Sequence, residues 1–75
     1  MDIEKKMQNL KDLEGEQFEK EYLDAMIEHH RMGMAMMRLA KEKARNEELL
    51  DLTDDMIEDH SEEIEDMEEM RGGTE

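Results

Sequence analysis

Apolar residues recur along this chain at intervals of three and four, the repeat of an α-helix. They fall into three stretches. In the first, Ile3, Met7, Leu10 and Leu13 share a face and Asp2 is placed to cap it, which predicts a helix over 2–14. Gly15 follows, where a left-handed residue ends such a helix. A helix this short is marginal alone and must dock on something. The second stretch predicts a helix over 16–45. Phe18, Tyr22, Ala25, Met26, His29, Gly33, Met36, Met37, Ala40 and Ala44 fall on one side of it. Leu23, Ile27 and Met34 form a second strip, and His30 lies between the two. The third stretch predicts a helix over 47–70, with Asn46 as its cap and Glu47 and Glu48 where the helix dipole favours acids. Its stripe is Leu49, Leu52, Thr53, Met56, His60, Ile64 and Met67, with Met70 on the edge. Gly72 and Gly73 are expected to stop it, leaving 72–75 as a frayed tail.

These faces imply a way of packing. The short break at Arg45-Asn46 should lay the second and third helices antiparallel, so that positions adding to roughly ninety-one face each other. His30 and His60 then arrive at one level of the seam, within about one helical turn. Met36 and Met37 come opposite Met56, and Met26 comes opposite Ile64 and Met67. A second helix apolar over so much of its circumference needs cover from two directions, by the first helix or by a second subunit. The expected fold is all-α: an antiparallel helical hairpin with a short leading helix, dimerising into a bundle.

Composition narrows the classes. Seventy-five residues make one domain, 1–75, of a size that usually needs a staple, a metal or a partner. There is no Cys, hence neither disulfide nor thiolate, and no Pro to interrupt long helices. The net charge is −14, which disfavours nucleic acid and anionic membrane surfaces and suits a protein that attracts cations. The charge is uneven. Arg31 to Arg45 holds five basic residues and one acid, whereas Asn46 to Met70 holds thirteen acids and no base. Opposed charges would therefore flank the shared seam, although most of the acidic run reads as a solvated face. No stretch is apolar enough to span a membrane, and the polar start Met1-Asp2-Ile3-Glu4 lacks the pattern of a signal peptide.

The chemistry concentrates in Met26-Ile27-Glu28-His29-His30-Arg31-Met32-Gly33-Met34-Ala35-Met36-Met37, where two histidines sit among five of the ten methionines. Thioether sulfur and imidazole nitrogen are the donors that Cu(I) and Ag(I) prefer. The spacing repeats: Met26–His30, His30–Met34 and Met56–His60 are four apart, and His29–Met36, His30–Met37 and His60–Met67 are seven apart, all on shared faces. His30, His60, Met26, Met56 and Met37 are the leading ligand candidates, and His29, Met34, Met36 and Met67 form a second tier. A methionine at helical spacing is usually core filling, and a lone buried histidine is usually structural. Ten methionines and three histidines at one level shift that balance toward ligation. The residues three before His29, His30 and His60 are Met26, Ile27 and Ile57, so the Glu-x-x-His motif of di-iron bundles is absent. Glu63 beside His60 leaves weak Zn(II) or Cu(II) binding open. No nucleophile–base pair or phosphate loop appears. The expected function is non-enzymatic sequestration or delivery of Cu(I)/Ag(I). The alternative is a helical protein-interaction module with a Met-rich core.

Two segments also resemble a known family. Phe18-Glu19-x-x-Tyr22-Leu23-x-x-Met26-Ile27-x-His29-His30, followed by Gly33, Ala35, Met36, Leu39 and Ala40, is similar to the domain of unknown function 305 family. So is Leu49-x-x-x-Thr53-x-x-Met56-Ile57-x-x-His60-x-x-Glu63-Ile64-x-x-Met67. The similarity covers about residues 16 to 70. It implies a ferritin-like helical bundle, usually exported to a periplasmic or other extracytoplasmic space, with members linked to copper or silver. Met26, His29, His30, Met36 and Met67 match the family's positions. His60 stands where the family commonly has Gln, and Glu28 where it commonly has Pro. Met32, Met34 and Met37 are additions that enrich soft donors. Many members carry two such repeats and this chain has one, which implies a homodimer that completes the bundle.

Overall fold

A computed structural model describes residues 3–73. The expected Asp2 cap and the tail residues Thr74 and Glu75 lie outside the described residues. The fold is all-helical, with three helices in order: α1 (Ile3–Lys11), α2 (Gly15–Lys43) and α3 (Glu47–Gly73). No strand occurs among the described residues.

The ends differ from the sequence expectations for identifiable reasons. Gly15 does take the left-handed conformation, at φ +65°, but it opens α2 rather than closing α1. α1 stops at Lys11, and the Leu13 N–H donates to the Leu10 carbonyl at 3.1 Å as the chain turns. Glu14 is extended (φ −151°, ψ 166°), so the turn needs three residues outside either helix and shortens the 2–14 expectation. Ala44 is also extended (φ −78°, ψ 153°), which ends α2 at Lys43 rather than 45. Asn46 caps α3 as expected, its Oδ1 accepting the Leu49 N–H at 2.9 Å. α3 runs past Met70 to Gly73. Glycine weakens a helix by about 1 kcal/mol per residue, which frays a last turn without forbidding it. The Arg71 guanidinium, paired with Asp24 at 2.9 Å, ties this turn to α2.

α2 packs mainly on α3, and among the described residues α1 packs on α2. Moving along α2 from Asp24 through Arg31 to Lys41, the ion-paired partners on α3 move back from Arg71 through Glu68 to Asp54. Arg31 and Lys41 of α2 thus meet acids of α3 at the rims, as the charge asymmetry implied, while Asp24–Arg71 pairs with the signs reversed. The seam between them is regular. On α2 it holds Leu23, Ile27, His30, Met34 and Met37; on α3 it holds Leu50, Thr53, Ile57, His60, Ile64, Met67 and Arg71. Steps of four and three alternate throughout, the spacing that keeps one stripe facing a neighbouring helix. The core cluster is Leu23, Ile27, Met34, Ile64 and Met67, with Met26 and Ile57 packed against it. Thr53 is buried as well and donates its hydroxyl to the Leu49 carbonyl at 2.7 Å, so this polar core side chain is satisfied within its own helix.

The broad apolar side of α2 is therefore not the side that meets α3. The strip of Leu23, Ile27 and Met34 does, with His30 and with Met37 from the margin of the broad side. Tyr22 and Met36 on α2, and Leu49, Leu52, Met56 and Met70 on α3, are exposed. Each of these residues lies one position before a seam residue, which rotates it by about 100° from the seam. The molecule measures 44 × 25 × 14 Å with a radius of gyration of 14.9 Å. A compact domain of this length has a radius near 11 Å, and 14 Å is little more than one helix with its side chains. The protein is a single layer of helices.

Candidate metal centre

The two seam histidines meet. The His30 and His60 rings lie 4.6 Å apart between centroids, tilted by 37°. This pair adds to ninety, close to the expected ninety-one, whereas Asp24–Arg71 and Lys41–Asp54 pair about one turn, and Arg31–Glu68 about two turns, further along α3.

His30 is held on both sides of its ring. Its side chain is only 11% exposed, and Nδ1 lies 2.9 Å from the Met26 carbonyl oxygen. A carbonyl can only accept, so Nδ1 carries the hydrogen. Nε2 faces Glu63 Oε1 at 3.4 Å. Both ring nitrogens therefore look at oxygen acceptors, and a neutral ring has a single N–H, already given to Met26. The lone pair at Nε2 and the Glu63 carboxylate leave room between them that a proton or a metal cation satisfies. This carbonyl–imidazole pairing is the arrangement that orients a ligating histidine and fixes which nitrogen is free.

His60 has the complementary problem. Its Nδ1 is buried and has no hydrogen-bond partner among the described residues. Leaving such an atom unpaired costs about 1–3 kcal/mol. Gly33 makes the space for this ring: a Cβ there would stand 3.7 Å from His60 Cδ2 and Nε2 and 3.8 Å from Met37 Cε. The thioether end of Met37 and the His60 ring thus converge over a glycine. Met56 and His60 share a shallow groove of about 400 Å³ on α3 with Asp59, Glu62, Glu63 and Asp66. Among the described residues, no three His, Asp or Glu side chains converge as a metal-holding group. Two imidazole rings meet here, the end of Met37 lies beside His60, and acids line the groove.

The remaining candidates are placed elsewhere. Met34 and Met67 are core side chains. Met36 is 73% exposed and stands apart from both seam histidines. His29 is exposed, its ring 6.3 Å from that of His30 and nearly perpendicular to it. Met26 offers His30 its backbone carbonyl and packs against the core cluster, and the residue also borders a groove with His29 and Met7. Spacing alone located the His30–His60 pair. It missed the carbonyl anchor, since the four-residue step from Met26 to His30 was read as two side-chain donors. Glu63 does line one groove with His60, and its carboxylate faces His30 as well.

The model of the family described as Domain of unknown function (DUF305) matches residues 1–71. The chain belongs to this family. The match takes in α1, which the similarity read over residues 16 to 70 left out. Comparison with curated proteins found no match, and comparison with solved structures found none either. Membership in DUF305 carries no activity in its description, so the chemistry of this member rests on its own side chains. No helix among the described residues is long and apolar enough to cross a membrane.

Proposed function

We propose that this DUF305 protein binds soft monovalent metal, Cu(I) or Ag(I), at the seam between α2 and α3, and sequesters or delivers it without catalysing a reaction. The observation that carries this reading is the facing pair His30 and His60. One imidazole has its Nδ1 tied down and its Nε2 presented to an acceptor. The other has a buried nitrogen with no partner. A cation bound between the rings gives a nitrogen of each something to bind, and Met37, whose thioether end lies near the Cδ2–Nε2 edge of His60 over Gly33, is the soft donor of this reading. Met56 stands at the entrance. His30, His60 and Met37 are the ligands of this reading, Met56 is an entry donor, and Met26 acts on the seam through its carbonyl. The net charge of −14 draws cations toward the site.

The reading extends to assembly. α2 and α3 form an antiparallel hairpin, and residues one position before each seam residue emerge on the same side of such a pair. Tyr22, Met36, Leu49, Leu52 and Met56 then make one apolar face, and a second copy of the chain covers it to complete a ferritin-like bundle. The one-layer shape and the exposure of this face support a dimer.

Titration with Ag(I), followed by native mass spectrometry and circular dichroism, tests both parts. The expected result is a dimer with discrete Ag(I) adducts, and loss of the seam adduct in the His30→Gln/His60→Gln variant with helicity retained. The same exposed face also fits a module that grips another protein's helix. A monomer that shows no discrete adduct, or a ladder of adducts indifferent to the double variant, would replace the metal reading with that one.

A further inference from the structure

The two broad faces of the helical layer differ in kind. On one stand residues that follow a seam residue by one position: Arg31 and Arg38 on α2, and Asp54, Ser61 and Glu68 on α3, all exposed. That face is polar and suited to water. The other carries the exposed Tyr22, Met36, Leu49, Leu52 and Met56. A cleft of about 310 Å³ between α1 and α2 opens beside them. It is lined mainly by Met7 and Leu10 of α1 with Tyr22, Ala25, Met26 and His29 of α2, and its surface is almost wholly apolar. Tyr22, Met26 and His29 each precede a seam residue by one position, so the cleft lies on the apolar side and Tyr22 belongs to both. One side of the layer therefore needs cover, and α1 is part of that side.

The sequence of α2 on this side has a symmetry of its own. Phe18, Tyr22, Ala25, His29, Gly33, Met36 and Ala40 fall within about 80° of one another. Their steps of four, three, four, four, three and four read the same in both directions about His29. A helix that packs antiparallel on its own copy has this property, because residue i meets residue j and residue j meets residue i. A register centred on His29 sets Phe18 against Ala40, Tyr22 against Met36, and Ala25 against Gly33. The bulky Phe18 meets a small residue, and two small residues meet near the centre, where the backbones can approach. Charge favours the same pairing. Before His29, α2 carries five acids and one base; after it, four bases and one acid. Antiparallel pairing brings the acidic half of each α2 to the basic half of the other.

We propose that the cleft between α1 and α2 receives Met36 of a second copy, in a dimer whose α2 helices pack antiparallel about a two-fold axis at His29. The proposal rests on the dimer reading above and adds its register and a role for α1, which supplies one wall of the socket. Met36 is 73% exposed in the single chain, and Tyr22, its counterpart in the register, lines the cleft. The two-fold axis makes two such sockets. The layer measures 44 × 25 Å across its broad face, enough for the ~800 Å² per partner of a standard interface.

The chain has no Cys, so single spin labels on the full chain test the register. Arg31→Cys and Arg38→Cys place them on the charged face, away from the contact. Antiparallel pairing about His29 offsets the two copies along the helix by about 6 Å at position 31 and about 27 Å at position 38. The label-to-label distance from pulsed electron paramagnetic resonance is expected to be clearly longer at 38 than at 31. Equal distances would mean that the two α2 helices run parallel, which overturns the register and leaves the dimer standing. A monomer at every concentration in analytical ultracentrifugation would overturn both. A double-mutant cycle tests the socket. Met7→Ala and Met36→Ala change side chains that are mostly exposed in the single chain, and circular dichroism confirms that the helices persist. Each should weaken dimerisation about tenfold, and the double variant should lose less than the product of the two. If Met7→Ala stays within about twofold of the unaltered chain, or if the two losses multiply independently, Met36 does not enter the cleft and the proposal fails.

Discussion

His29 and His30 are adjacent in sequence and live in different parts of the molecule. His30 sits in the seam, nearly sealed, with one nitrogen fixed by a carbonyl and the other turned toward a carboxylate and a second imidazole. His29 sits about 100° further round α2, exposed, on the wall of a cavity half closed by a nine-residue helix. The methionines divide in the same way. Met34 and Met67 are packed among Leu23, Ile27 and Ile64 and behave as core. Met37 reaches a histidine, and Met36, its neighbour, reaches solvent. Residue type does not distinguish the two uses; one step of rotation around the helix does.

The largest effect should come from breaking the better-built side. Removing both imidazoles, as His30→Gln/His60→Gln, should weaken Ag(I) binding at the seam by 100-fold or more, on the order of 2.7 kcal/mol. His29→Gln should leave the seam affinity within about a factor of three, roughly 0.6 kcal/mol on the same scale. A competition titration against a chelator of known affinity checks both. Comparable losses from His29→Gln and His30→Gln would erase the distinction. Acidification sharpens it. Imidazole ligates only when neutral, so binding through the seam should weaken on acidification. Thioether donors do not titrate, so binding that survives acid reports the methionines.

Stability should divide along the same line, with a slightly smaller effect. Ile64→Ala opens the core cluster and should cost about 2 kcal/mol, the low end for such changes because the cluster is thinly covered. Met36→Ala should stay within about 0.5 kcal/mol in a monomer, since the side chain is mostly in water. Urea unfolding at low concentration measures the pair. Repeating it at high concentration exposes the dimer: a Met36→Ala penalty that appears only there would place Met36 at the interface between copies.

How much of this was legible in the sequence follows from what each signal encodes. The three helices were legible because apolar spacing and the Asn46 cap are local. The His30–His60 meeting was legible because a short turn fixes a register. Which strip of α2 faces α3 was not. Counting apolar residues favours the broad strip, whereas burial falls on Leu23, Ile27 and Met34 of the other one, and alternating steps of four and three occur on both. Leu50 and Ile57 belong to the seam on α3 and were passed over for Leu49 and Leu52, one position away, which are exposed. The Met26 carbonyl anchor was invisible for a different reason. A pattern of side chains says nothing about which ring nitrogen turns to the backbone. Met7 was visible only as one apolar position on a helix whose docking partner was unspecified.

Gly33 offers a smaller and more pointed intervention at the seam. Its Cβ would meet His60 and Met37 at ordinary contact distances, so Gly33→Ala fits without strain. The interior of α2 should gain helix stability of about 1 kcal/mol from the substitution. The added methyl occupies the space where the ring and the thioether converge, and seam Ag(I) affinity should drop about tenfold, 1.4 kcal/mol in the opposite sense. Melting temperature and affinity should therefore move apart. If both improved, the gap over Gly33 would be a packing flaw and not a place kept open for an ion.

The smallest effect tests whether the charged rims matter to the seam they border. Lys41 and Asp54 pair at 2.6 Å with both side chains about half exposed. A double-mutant cycle with Lys41→Met and Asp54→Asn should return a coupling of roughly 0.5 kcal/mol or less, shrinking further in 0.5 M salt. α3 carries a dense run of acids, however, and Lys41 offsets part of their mutual repulsion as well as one carboxylate. The single change Lys41→Met should then cost more than the coupling to Asp54 alone, and the excess should vanish with added salt. An excess that survives salt would trace to the lost alkyl packing of the lysine stem, and the rim would then hold the helices together by contact more than by charge.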